Sequence, residues 1–138
     1  MIGILVAAHG DVGPALCQAA AGIVGPMEKV EASTLTYGEA PAEARNRIAG
    51  ALARLDDGDG VLILTDMFGG TPTNVSVPFL QPGRVEVLTG MNLPMLIKAQ
   101  AVRGEMGLSE LARFLRDYAS RNIVLASEIW ADRPPQDG

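Results

Sequence analysis

Cysteine and histidine are almost missing from this sequence: 138 residues hold one of each, Cys17 and His9. A lone cysteine allows no intrachain disulfide, and an intracellular setting is the expectation. A lone histidine without clustered carboxylates makes a poor metal site, so no metal is expected. Basic charge is also short, 11 Lys and Arg against 16 Asp and Glu, for a net charge of −5. That balance gives no electrostatic reason to bind nucleic acid or an anionic membrane. The apolar run Ile2 to Ala8 lacks a basic leader and is far short of a membrane span, so a cytoplasmic protein is expected. Neither a Gly-x-x-x-x-Gly-Lys-Ser/Thr loop nor Gly-x-Gly-x-x-Gly after the first strand is present. No ATP, NAD, flavin or other cofactor is therefore implied.

What remains is ordinary for a globular domain, with 48% hydrophobic and 20% charged residues, enough to build a core without staples. One domain over residues 1–130 is expected, with 131–138 as a loose tail. Short β-branched runs alternate with stretches of helical period. Ile2 to Ala8, Val30 to Leu35, Val61 to Thr65 and Val85 to Leu88 read as strands. Pro14 opens a helix with Leu16, Ala19, Ala20 and Ile23 inward, and Pro41 opens one with Ala44, Ile48, Leu52 and Leu55 inward. Thr71 caps a short helix starting at Pro72, Asn92 caps one to Arg103, and Ser109 caps one from Glu110 to Arg121. Leu111, Leu115 and Tyr118 are its inner face. Ile123 to Trp130 reads as a last strand, and its Glu128 places it at an edge, free to pair within the chain or with a second subunit. The fold class expected is α/β: an open, mainly parallel sheet with helices on both faces.

Ligands of such sheets sit beyond the carboxyl ends of the strands. Three of those ends are polar: His9-Gly10-Asp11, Asp66 to Asn74, and Thr89 to Pro94. If the first and third strands are neighbours, His9 and Asp66 leave them at one level. A carboxylate on one imidazole nitrogen fixes the tautomer and leaves the other nitrogen as a bare nucleophile. Gly69 and Gly70 let backbone approach a ligand, and a helix starting at Thr71-Pro72 offers free N–H groups suited to a phosphoryl anion. Each piece also has a plainer reading. His9 can be structural, Asp66 can cap a turn, and Gly69-Gly70 can be only a connection. Met67, Phe68, Met91 and Leu93 can be core, or an apolar rim where partners dock. Cys17 reads as packed.

Together, strand-His9-Gly10, Leu64-Thr65-Asp66 with Phe68-Gly-Gly-Thr-Pro-Thr-Asn74, and Thr89-Gly-Met-Asn-Leu-Pro-Met-Leu96 resemble the mannose-type IIA component of the bacterial phosphotransferase system. The resemblance runs from Met1 to about Trp130. It implies a phosphotransferase component: His9 takes a phosphoryl group from the carrier HPr and passes it to a IIB partner, for sugar uptake or regulation. It implies Asp66 as the hydrogen-bonded partner of His9, and Thr71 beside the phosphoryl oxygens with Gly69 and Gly70. It also implies a homodimer whose last strand crosses between subunits, and contact with the membrane only through IIB, IIC and IID partners. Ala8 departs from the family pattern, which often has a hydroxyl there. Other readings are the phosphotransfer subunit of a dihydroxyacetone kinase and a non-catalytic anion-binding module. Histidine phosphatases and tetrapyrrole chelatases share a strand-His-Gly start, but the arginine and second histidine that a phosphatase needs are absent.

Overall fold

The protein is described over residues 1–131 by a computed structural model. Four strands, β1 (Gly3–His9), β2 (Val30–Leu35), β3 (Val61–Thr65) and β4 (Val85–Leu88), form one sheet in the order β2-β1-β3-β4. All three pairings are parallel. Among the helices, α1 (Val12–Val24), α2 (Pro41–Leu55) and α3 (Thr71–Ser76) follow β1, β2 and β3 in turn. A single 3₁₀ turn, Val77–Phe79, extends α3. After β4 come α4 (Leu93–Val102), α5 (Leu108–Arg121) and α6 (Ala126–Trp130).

β1 and β3 are apolar on both faces because both faces are covered. Ile4, Val6, Leu62 and Leu64 meet Ala20 of α1, Leu96 of α4 and Leu111 and Leu115 of α5. Their alternates Leu5, Ala7, Val61 and Ile63 meet Ala44, Ile48, Ala51 and Leu55 of α2 and Val75 of α3. Period-two alternation thus feeds two separate cores, each fully buried aliphatic side chain contributing about 1.5–3 kcal/mol relative to exposure.

Several expectations shift in detail. The inner face of α1 is Gly13, Leu16, Cys17 and Ala20, while Ile23 is 62% exposed. Apolar residues surround that helix, so the sequence offers no polar face to fix its phase. On α2, Ala51 rather than Leu52 is fully buried, and on α5 Ala119 is buried where Tyr118 is half-buried. Thr71 and Ser109 are not caps. Gly70 and Gly107 take those positions, and Thr71 is the first residue of α3. Asn92 does cap α4, its side chain accepting from the Met95 N–H at 2.9 Å.

The largest correction concerns Ile123 to Trp130. It is no strand in the single chain: three irregular residues lead into the five-residue α6. Ile123 and Leu125 are 80% and 64% exposed. A strand needs a neighbouring strand to bond, and among the described residues none lies beside this segment. The tail expected over 131–138 falls, apart from Ala131, outside the described residues.

Candidate functional site

β1 and β3 are neighbours with Ala7 opposite Thr65. The chain turns from β1 to β2 on one side and comes back to β3 on the other. The order reverses there, between the carboxyl ends of β1 and β3, which is where open α/β sheets bind their ligands. His9 is the last residue of β1 and Asp66 the first after β3. One carboxylate oxygen, Asp66 Oδ2, takes two hydrogen bonds from the same residue. It lies 3.0 Å from the His9 backbone N and 2.8 Å from its Nδ1.

Burial pushes the Asp66 carboxyl pKa up, but the two hydrogen bonds and the attraction of His9 outweigh it, so the net shift is downward from 3.8. The group is therefore ionised at neutral pH and can only accept. Nδ1 must then carry the proton, and in the neutral ring Nε2 is bare. Because the folded pKa is depressed, Asp66 stabilises the fold above its ordinary range, and that contribution is lost as pH falls through the folded value. Asp66→Ala is expected to cost about 1–3 kcal/mol at pH 7, the usual penalty for a charge-assisted hydrogen bond, with the gap closing in acid. Urea titrations from pH 7 to pH 3 check this, and a gap independent of pH would contradict it.

Two adjacent glycines shape the wall opposite Asp66, for different reasons. Gly69 has φ +84°, a left-handed conformation that side chains resist. Gly70 has φ −88° and ψ 172°, open to any residue. Its need is space: a Cβ there would sit 2.8 Å from His9 Cε1 and 3.4 Å from Nε2. Gly70 thus lies against the edge of the ring that bears Nε2. Among the described residues, the Thr71 and Thr73 N–H groups have no backbone acceptor, since the first bond of α3 runs from Asn74 to the Gly70 carbonyl. Thr71 itself is exposed.

Three features escaped the sequence reading. Thr65 and Thr73 are buried and their hydroxyl oxygens are 2.7 Å apart, with Thr73 donating onward to the Met67 carbonyl at 2.6 Å. Tyr37 is 96% exposed, yet its ring centroid lies 6.2 Å from that of His9. It projects from a turn closed by Thr36 and Glu39, which Arg47 braces by pairing with Glu39 and donating to the Thr34 carbonyl. Its place at the carboxyl end of β2, level with His9, was a signal in the sequence that could have found it.

The residues named as an apolar rim divide. Phe68 is 82% exposed and Met67 also projects, whereas Met91 and Leu93 are half-buried against the core beneath α4. Cys17 is half-buried on α1, and burial pushes its thiol pKa up, away from reactivity. Among the described residues no group of acidic, cysteine or histidine side chains could hold a metal, and no helix is long and apolar enough to cross a membrane.

A family model described as the PTS system fructose IIA component matches residues 3–115. The chain belongs to this family. Members of the fructose/mannose IIA family are phosphotransfer components of the sugar phosphotransferase system. The match covers all four strands, His9, Asp66 and the Gly69-Gly70 loop. This IIA chain is 29% identical over 129 residues to the PTS system fructose-specific EIIA component of Bacillus subtilis, covering 93% of the one and 88% of the other. It is 30% identical over 105 residues to the PTS system mannose-specific EIIAB component of Escherichia coli K12, reaching 75% of this chain and 32% of that protein. The crystal structure of phosphotransferase system component EIIA from Streptococcus agalactiae superimposes with a TM-score of 0.84 at 28% identity, over 93% of this chain and 99% of that one.

Proposed function

We propose that this protein carries a phosphoryl group on Nε2 of His9, taking it from the phosphohistidine of HPr and passing it to a IIB partner. The observation that carries the proposal is the Asp66 contact at Nδ1, which leaves the opposite nitrogen unprotonated on a part-exposed ring at the end of β1. In the reaction the Nε2 lone pair attacks phosphorus while the donor's P–N bond breaks, its electron pair returning to the donor ring. His9 gains positive character as it attacks, and the ionised Asp66 stabilises it. The Thr71 hydroxyl and the N–H groups along Gly69, Gly70 and Thr71 are the donors assigned to the phosphoryl oxygens. The donor's phosphohistidine supplies the energy, so the protein's work is positioning.

Exposed Tyr37, Met67 and Phe68 suit partner docking beside His9, since aromatic side chains dominate protein–protein hot spots. On this reading the protein works in the cytosol and meets the membrane only through IIB, IIC and IID partners. Incubation with enzyme I, HPr and labelled phosphoenolpyruvate tests the proposal. Acid-labile label on His9 that a IIB protein removes is the expected result. No label, with anions still bound, would leave a non-catalytic anion-binding module instead.

The same reading includes a second copy of the chain. Among the described residues no strand lies on the outer edge of β4, where only Gln81 bridges Val85, and a groove of about 220 Å³ beside it is lined by Glu86, Leu88, Arg113 and Arg116 among others. Exposed Ile123, Leu125 and Ile129 have apolar surface to bury. Pairing of this segment with the β4 edge of the partner subunit would satisfy both needs. Replacing Ile123 and Ile129 together by Asp is expected to convert a dimer to monomers in sedimentation at micromolar concentration. A monomeric parent protein, or an unchanged dimer in the variant, would refute the exchange.

A further inference from the structure

Asp66 stands between Thr65 and Met67, and both of those residues are tied to one atom, Thr73 Oγ1. The Thr73 hydroxyl has a single hydrogen and gives it to the Met67 carbonyl at 2.6 Å. The Thr65 hydroxyl must therefore be the donor in the 2.7 Å contact between the two threonines. The Thr65 carbonyl is held in turn by the Met91 N–H at 3.0 Å. The backbone on either side of the carboxylate is thus fixed by hydrogen bonds, buried between the two threonines and part-buried at Met67, where lowered polarity strengthens them and makes an unmade one costly. Thr73 also lies on α3, whose first carbonyl acceptor is Gly70, the residue lying against the Nε2 edge of His9.

We infer that Thr73 is a positioning residue for phosphoryl transfer, its hydroxyl setting the Asp66 clamp on Nδ1 and the Gly70 wall beside Nε2 in one register. This rests on His9 as the phosphoryl carrier. Packing alone does not require the hydroxyl, because valine would fill nearly the same volume. What valine cannot do is join β3, the Asp66 loop and α3 through one oxygen. The carboxylate then gains freedom along the loop, and the ring nitrogens lose their fixed assignment.

The test combines a spectroscopic readout with a kinetic one. In ¹⁵N-labelled unphosphorylated protein, the ring nitrogen shifts of His9 report which nitrogen bears the proton, with no donor present. Thr73→Val is expected to change the single Nδ1–H tautomer into a mixture. It is also expected to slow label uptake at saturating phospho-HPr about ten-fold, the scale of a sub-ångström misplacement, with half-saturation unchanged. Thr73→Ser restores both readouts to within about two-fold if the hydroxyl is the active feature. Should Thr73→Val not fold, Thr65→Val, which removes only the donor to Thr73, is read in its place with the same expectation. A folded valine variant with parental shifts and uptake overturns the inference, and so does a serine variant as impaired as valine. If the parent protein takes no label, the carrier reading fails, while the ring shifts still decide the role of Thr73.

Discussion

His9→Ala is expected to reduce label uptake from phospho-HPr to the background without protein, while the domain stays folded. The two halves of that result have separate physical grounds. No other side chain can substitute for the nucleophile, because the sequence holds no second histidine and the carboxylate beside it is committed to accepting hydrogen bonds. The fold survives because the lost ring is partly exposed and Asp66 keeps the backbone N–H of position 9, donated at 3.0 Å. The loss is then one charge-assisted hydrogen bond, about 1–3 kcal/mol, out of a domain stability of roughly 5–15 kcal/mol. Thermal unfolding beside the labelling assay reads both. Label retained by a folded variant would move the chemistry off His9 altogether.

Gly70→Ala is expected to have the next largest effect, and its neighbour makes it diagnostic. The new methyl would sit 2.8 Å from His9 Cε1 and 3.2 Å from Met67 Cγ, so the ring or the start of α3 must move. A displacement of about 1 Å at reacting atoms can cost roughly a hundred-fold in rate. Stability should change little, because the backbone at Gly70 suits alanine and the unfolded chain loses freedom, worth about 0.4–1 kcal/mol in the opposite sense. Gly69→Ala should behave inversely. Its Cβ meets nothing within 4 Å, but its φ of +84° strains an alanine, so about 1–2 kcal/mol of stability is lost with less effect on transfer. Stopped-flow or quenched labelling together with urea denaturation separates the two patterns. Equal rate losses in both variants would mean that the loop, and not the contact with the ring, controls transfer.

The sheet was legible because its signal is compositional: both faces of β1 and β3 are covered, and no other segments are so uniformly aliphatic. The four strands lie within a residue of their expected bounds. His9 and Asp66 were legible as a pair once the first and third strands were neighbours, since topology alone brings their ends level. Thr65 and Thr73 were not. A threonine at the end of a strand and another in a Thr-Pro-Thr helix start look like ordinary capping residues, and only the packing of α3 against β1 and β3 brings their hydroxyls together. Tyr37 was missed because a turn aromatic has no periodic neighbours to mark it. Ile123 to Trp130 has the β-branched and aromatic content of a strand, but a strand is a relation between two segments. With no strand beside it among the described residues, local hydrogen bonding takes over and α6 forms.

The division of the interior by the sheet bears on how such a sequence can drift. Ile48 and Leu111 lie in cores that do not touch, so substitutions at the two should add in their effects on stability. Each side can then exchange volumes among its own members, Ile48 with Ala44 or Leu35, without compensation across the strands. Only the residues that belong to neither core, at the rim where β1 and β3 end, are left with no such latitude.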